Sequence, residues 1–371
     1  MNFGFSAEQE ALRASVRRFL SERCPTTYVR AMLEDARGTS DTVWRGLGEL
    51  GLFGLLVPER YGGHGGGWVD MGAVLEEMGR ALHPGPFFAT AVAAVAAIGQ
   101  VASAEEKAEL LPGIARGETI ATLALFEPGL RWDWTRPAST ADRIGERWVL
   151  RGRKLFVPDG AAAHLLLVTA RAGDELGLFA VDAADASITP LVPVDATRKQ
   201  AEVRLAEAPA RRLGGGDAAA ALGRAVDRIL LGLVADGVGA AARALEMATE
   251  YAKIRVQFDR PIGSFQAVQH LLADMLRNVE LARSGAYYAM WAADAGGEAE
   301  CHRAAVMAKA FASDALYRVG ADAIQVFGGI GFTWEHDVQL YYKRTLSLAQ
   351  AFGGTAEFEE EYARLLLDAE G

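Results

Sequence analysis

Cysteine is scarce in this 371-residue chain. Cys24 and Cys301 stand far apart with no metal-like spacing, which excludes a disulfide scaffold and the usual zinc motifs. Histidine is thinly scattered as well, and no two histidines fall at i, i+4 on a helix face. A basic excess is missing: 38 Lys and Arg face 48 Asp and Glu, for a formal charge of −10. Nucleic-acid binding wants a basic face, so that class is set aside. No secretory leader is visible, because Glu8, Glu10, Arg13, Arg17 and Arg18 interrupt the first apolar segment. Long hydrophobic runs are limited to residues 85–104, which carry no charge until Glu105. That run is mostly alanine, which partitions weakly into lipid, so a buried close-packed helix is expected and not a span. A cytoplasmic location is the expectation.

What is present organises into three segments. Residues 1–117 read as helices. A cap at Ser6 precedes an apolar stripe of Leu12, Val16, Phe19 and Leu20, and further helices are expected over 44–56 and 69–81. The glycine cluster 62–67 lacks a preceding strand and a following Lys-Ser/Thr, so it reads as a surface loop. Over 118–214 short strand candidates at 119–126, 147–156, 163–169, 176–181 and 201–205 are parted by Gly, Pro and Asp turns, predicting a small antiparallel barrel or sandwich. Residues 215–371 return to long helices, so the expected class is α+β, with a helical domain, a middle β domain and a closing helical bundle.

The most specific stretch is Tyr251–Met275, where a helix ending in Lys253 and Arg255 meets Asp259-Arg260-Pro261. Ser264 is placed to cap the helix that follows. The order Tyr-x-x-x-Arg-x-Gln-Phe-x-x-Pro-Ile-x-x-Phe-Gln, closed by Ala273-Asp274-Met275, resembles the acyl-CoA dehydrogenase family. The 44–54 and 58–63 segments resemble that family's N-terminal domain, and Ala323–Phe332 resembles its C-terminal glycine signature. The resemblance implies a four-helix C-terminal bundle that builds tetramers. It also implies FAD as cofactor and an acyl-CoA thioester as substrate, with a base taking the α-proton while the β-hydrogen leaves as hydride. By the same resemblance Arg255, Gln266, Gln325, Gly328 and Gly329 grip FAD seated mainly in a neighbouring subunit, and Thr355 is a further cofactor position.

Other family positions are altered. The Thr or Ser before Glu-Pro is Phe126, the following Gly-Ser-Asp is Arg131-Trp132-Asp133, and the threonine of Trp-Ile-Thr-Asn is Pro158, so hydroxyl donors toward the flavin ring are lost. The base glutamate of Tyr-Glu-Gly-Thr is Gly353, and the alternative base position falls on Ile229. Asp236 is the one charge between Arg228 and Arg243, a costly placement unless the carboxylate is paired or functional. It is expected to be either a displaced base or a partnered aspartate at a helix contact. Two readings follow from the same residues. One is a self-sufficient homotetrameric acyl-CoA dehydrogenase with Asp236 as base. The other is a base-deficient subunit of a heterotetramer with a second chain of the family, acting on a steroid or branched acyl-CoA. A flavin monooxygenase on the same fold is a third.

Overall fold

A computed structural model describes residues 4–129, 132–145 and 147–368. In chain order its helices are α1 Ala7–Arg23, α2 Thr26–Glu34, α3 Asp41–Glu49, α4 Trp68–Arg80, α5 Val95–Val101 and α6 Ala104–Ala115, followed by α7 Ala219–Ile254, α8 Gln266–Ala295, α9 Glu298–Phe327, α10 Val338–Gln350 and α11 Thr355–Asp368. Between α6 and α7 run β1 Ala121–Ala124, β2 Thr140–Ile144, β3 Arg147–Pro158, β4 Leu165–Ala172, β5 Glu175–Asp182, β6 Ser187–Leu191 and β7 Gln200–Leu213. The chain forms two compact units, one of residues 1–29, 68–83 and 230–371, the other of residues 30–67 and 84–229.

In the first unit α1 begins with a reciprocal cap, Ser6 Oγ accepting from the Gln9 amide and the Gln9 side chain accepting from the Ser6 amide. The buried acids of α4 are neutralised by neighbouring helices. Glu77 receives Arg13 at 2.9 Å and Arg17 at 2.6 Å, and Glu76 receives Arg283 at 3.1 Å and the Tyr287 hydroxyl at 2.7 Å. On its other side α4 meets α7 backbone to backbone. A Cβ on Gly79 would lie 1.8 Å from the Asp236 carbonyl, and one on Gly239 would lie 1.8 Å from that of Glu76. Only glycine permits so close a crossing.

In the second unit β2, β3, β7, β5 and β4 close into a ring, with β1 added at β4 and β6 at β7. The barrel is therefore present, but it is not wholly antiparallel, because β4 pairs in parallel with β1 and with the end of β2. The helix expected over 44–56 is two pieces. Gly51 at φ +73° ends the run that began with α3, and Leu52–Gly54 is a 3-10 turn. Residues 85–104 do hold the expected buried helix, in which a π-helical stretch Phe88–Ala94 runs without a break into α5. Among the described residues no helix is long and apolar enough to cross a membrane.

The glycine crossing yields a direct test. Gly79→Ala drives a methyl into the Asp236 carbonyl, so unfolding stability should fall by about 3 kcal/mol, the upper part of the overpacking range. A urea midpoint within error of the parent protein would contradict the crossing.

Candidate functional site

The stretch Tyr251–Met275 is not a plain helical corner. After Ile254 the chain makes a tight hairpin in which Val256–Gln257 pairs with Arg260–Pro261, Phe258 and Asp259 taking positive φ at its tip. Ser264 does not cap α8; its hydroxyl donates to the Pro261 carbonyl at 2.7 Å, and Phe265 holds the cap position without a side-chain bond. The Ile262 amide donates to the Arg255 carbonyl at 2.8 Å, which ties the start of α8 to the end of α7. Tyr251 stacks on Phe327 with ring centroids 4.4 Å apart, and this joins the end of α7 to the end of α9.

Arg255, Gln266, Gln325, Gly328 and Gly329 thus lie on neighbouring chain ends, all exposed. Among the described residues no carboxylate pairs with Arg255. Gly328 sits at φ +64°, and a Cβ on Gly328 or Gly329 would meet nothing within 4 Å. An unengaged guanidinium beside open backbone suits an anionic diphosphate, so these residues fit the grip that FAD requires. When bound, FAD supplies the hydride acceptor. Thr355 stands apart from this group. Its turn is tied to Lys309, and Gln325 lies about 16 residues farther along α9, roughly 24 Å at the helical rise.

The turn at the family's base position is closed. Gly353 is buried with φ +125°, a conformation that L side chains rarely adopt, and a Cβ there would lie 3.4 Å from the Phe358 ring. Lys309, 2 % exposed, holds this turn from inside. Its ammonium donates to Ser313 Oγ at 2.7 Å, to the Leu348 and Ala349 carbonyls at 3.1 and 3.2 Å, and to the Gly353 carbonyl at 3.2 Å. Two of these carbonyls belong to the last turn of α10, where a cation relieves unpaired acceptors and opposes the helix dipole. Burial pulls the Lys309 amine down to about 7, Glu357 offsetting only part of that pull.

Asp236 is partnered. Arg344 Nη1 lies 3.1 and 3.0 Å from its two carboxylate oxygens, and both side chains are fully buried. Arg344 Nη2 reaches the His83 carbonyl at 3.4 Å. Charge balance explains the carboxylate without any proton transfer, and the alternative base position, Ile229, is a buried hydrocarbon. The structure also reveals Arg344 and Lys309, which sequence reasoning did not single out. Lys309 carried the same signal as Asp236, a lone charge amid alanines.

In the barrel, Glu127 accepts from Lys154 Nζ at 2.6 Å and from the Ala138 amide at 2.6 Å. Burial opposes charge on Glu127, and the Lys154 ammonium together with hydrogen bonds from Ser139 and Ala138 outweighs it, so the carboxyl lies below its ordinary range. Burial draws Lys154 itself down to about 8. Pro158 offers no donor, and its carbonyl accepts from Thr122 Oγ1 at 2.5 Å. Arg131 lies outside the described residues. The ring-contact positions of the barrel therefore do not fit a flavin as the diphosphate residues do.

Comparison with known proteins gives the family. Residues 6–118 match the model of the acyl-CoA dehydrogenase N-terminal domain, and residues 216–363 match that of the C-terminal domain. The chain belongs to the acyl-CoA dehydrogenase family, whose members are FAD-dependent oxidoreductases. It is 34 % identical to the acyl-CoA dehydrogenase IpdE2 of Mycolicibacterium smegmatis over 95 % of this chain and 96 % of that one. Among solved structures it is similar to a Tcur3481-Tcur3483 steroid ACAD variant, at 33 % identity and TM-score 0.90 over 98 % of both chains. It is also similar to one chain of the ChsE4-ChsE5 complex of Mycobacterium tuberculosis, at 28 % identity and TM-score 0.90 over 99 % of both chains.

Two stability predictions follow from the buried charges. Asp236→Asn, which strands the Arg344 cation, should cost about 3–5 kcal/mol, and the double variant Asp236→Leu/Arg344→Met should recover most of it. Urea unfolding of the three proteins checks this, and a double variant no better than the single one would remove the pair from the account. Lys309 titrates near 7 when folded but near its ordinary value when unfolded. The unfolded chain therefore binds the extra proton between about pH 7 and 10, and this group's contribution to stability rises with pH across that window. Lys309→Met should lose that upward slope, which urea midpoints at several pH values would reveal.

Proposed function

We propose that this chain is the base-deficient subunit of a heteromeric acyl-CoA dehydrogenase. In that assembly a second chain of the family supplies the carboxylate that removes the α-proton. The observation that carries the reading is the Gly353 turn: no proton acceptor stands on that side chain, and the backbone there suits glycine alone. Asp236, sealed by Arg344, offers no substitute, which leaves the self-sufficient reading without a base. What this chain contributes is the exposed corner of Arg255, Gln266, Gln325, Gly328 and Gly329, which would orient the diphosphate of FAD bound largely by the partner. Similarity to structures described as a steroid ACAD and as a two-protein complex supports a steroid-derived acyl-CoA as substrate and a second family chain as partner.

The test is acyl-CoA-dependent reduction of an artificial electron acceptor, measured on the chain alone and with its partner. The lone chain should be inactive even with added FAD, and the two-chain complex active. In the complex, Arg255→Leu on this chain should weaken FAD retention at least tenfold. Turnover by the homogeneous lone chain would sink the proposal.

A further inference from the structure

Three aromatic residues come together in the barrel unit, two of them at altered family positions. Phe126 is buried, and Trp132 meets it edge-on with centroids 5.0 Å apart and rings inclined by 83°. Trp132 in turn lies 6.3 Å from Phe156. Phe156 holds φ +54°, unusual for a bulky residue, inside a β-bulge where the register of β3 on β7 shifts between Lys154 and Val157. Such strain persists only where surroundings enforce it. Here the surroundings are pinned from both sides. The Leu155 amide donates to the Phe126 carbonyl at 2.8 Å, and Glu127, next in the chain, is locked by Lys154 and the Ala138 amide.

We infer that this chain's own flavin seat is filled by its aromatic side chains, so that its barrel takes up no isoalloxazine ring. The observations agree in direction. A hydroxyl position has become Phe126, a serine position has become Trp132, and the remaining threonine position is Pro158, which has no donor for a flavin carbonyl or ring nitrogen. The rings pack on one another as aromatic pairs do, at edge-to-face and tilted angles within stacking distance, so a ligand entering there must separate them and forfeit that packing. The inference deepens the base-deficient reading but does not share its evidence, since it concerns a separate part of the chain from Gly353.

The experiment is a fluorescence-anisotropy titration of FAD with the purified lone chain, alongside flavin absorbance retained after gel filtration. The parent chain should retain no flavin. Trp132→Ser should lower the Kd for FAD measurably, and Phe126→Thr/Trp132→Ser/Pro158→Thr should lower it at least tenfold. Circular dichroism and thermal melting would verify that both variants fold, and the single variant keeps the test valid where the triple one is unstable. Stoichiometric flavin in the parent chain would overturn the inference, as would folded variants that bind no more FAD than the parent. The two proposals fail separately. A lone parent chain that binds FAD without oxidising acyl-CoA removes the filled seat and leaves the missing base, whereas one that oxidises acyl-CoA removes the base-deficient reading.

Discussion

Two opposite charges with no exposed surface, Asp236 and Arg344, hold the helical unit in register. Their mutual attraction and the hydrogen bond from Arg344 to the His83 carbonyl fasten α7, α10 and the turn after α4 to one point. Burying such a pair yields little net stability beside an apolar replacement, but it penalises any packing that separates the partners. It therefore acts mainly on specificity. The Gly79 crossing lies against the same Asp236 backbone, so the glycine contact and the ion pair fix one geometry by independent means.

Lys309 extends this logic along α9. An ammonium surrounded by a hydroxyl and three carbonyls is hydrogen-bonded yet not charge-balanced by a close carboxylate, which is why burial depresses it so far. The arrangement holds the end of α10 and the Gly353 turn together from within. The Gly353 turn is therefore no loose loop; it is held in a conformation that suits glycine.

Much of this was legible in the sequence because it depends on local pattern. Helical periodicity located α1 and α4, short runs bounded by Gly, Pro and Asp turns located β3, β4, β5 and β7, and the Arg255 and Gly328–Gly329 signatures marked the exposed corner. The errors have physical causes. Strand β2 is mostly exposed and carries Asp142 and Arg143, while β6 lies at the margin with Pro190, so neither shows an apolar alternation. Ser264 had the right residue type for a cap, but the hairpin before it turned the hydroxyl back to Pro261. Parallel pairing of β1 with β4 leaves no trace in either strand's composition. The lone carboxylate of Asp236 announced that something must answer it, but the answering cation lies 108 residues away and could be found only in three dimensions.

The retained and altered residues are sorted by location. At one end of α9 stand an unengaged arginine and open glycine backbone, groups that favour an anion brought from outside. Farther along the same helix, Lys309 holds the Gly353 turn, whose positive φ suits glycine. In the barrel unit, Phe126, Trp132 and Phe156 gather their rings. Random decay of an enzyme has no reason to spare a solvent-exposed arginine, which contributes nothing to a core. On the proposed reading a role across a subunit boundary gives such a reason, because the exposed corner then keeps its ligand.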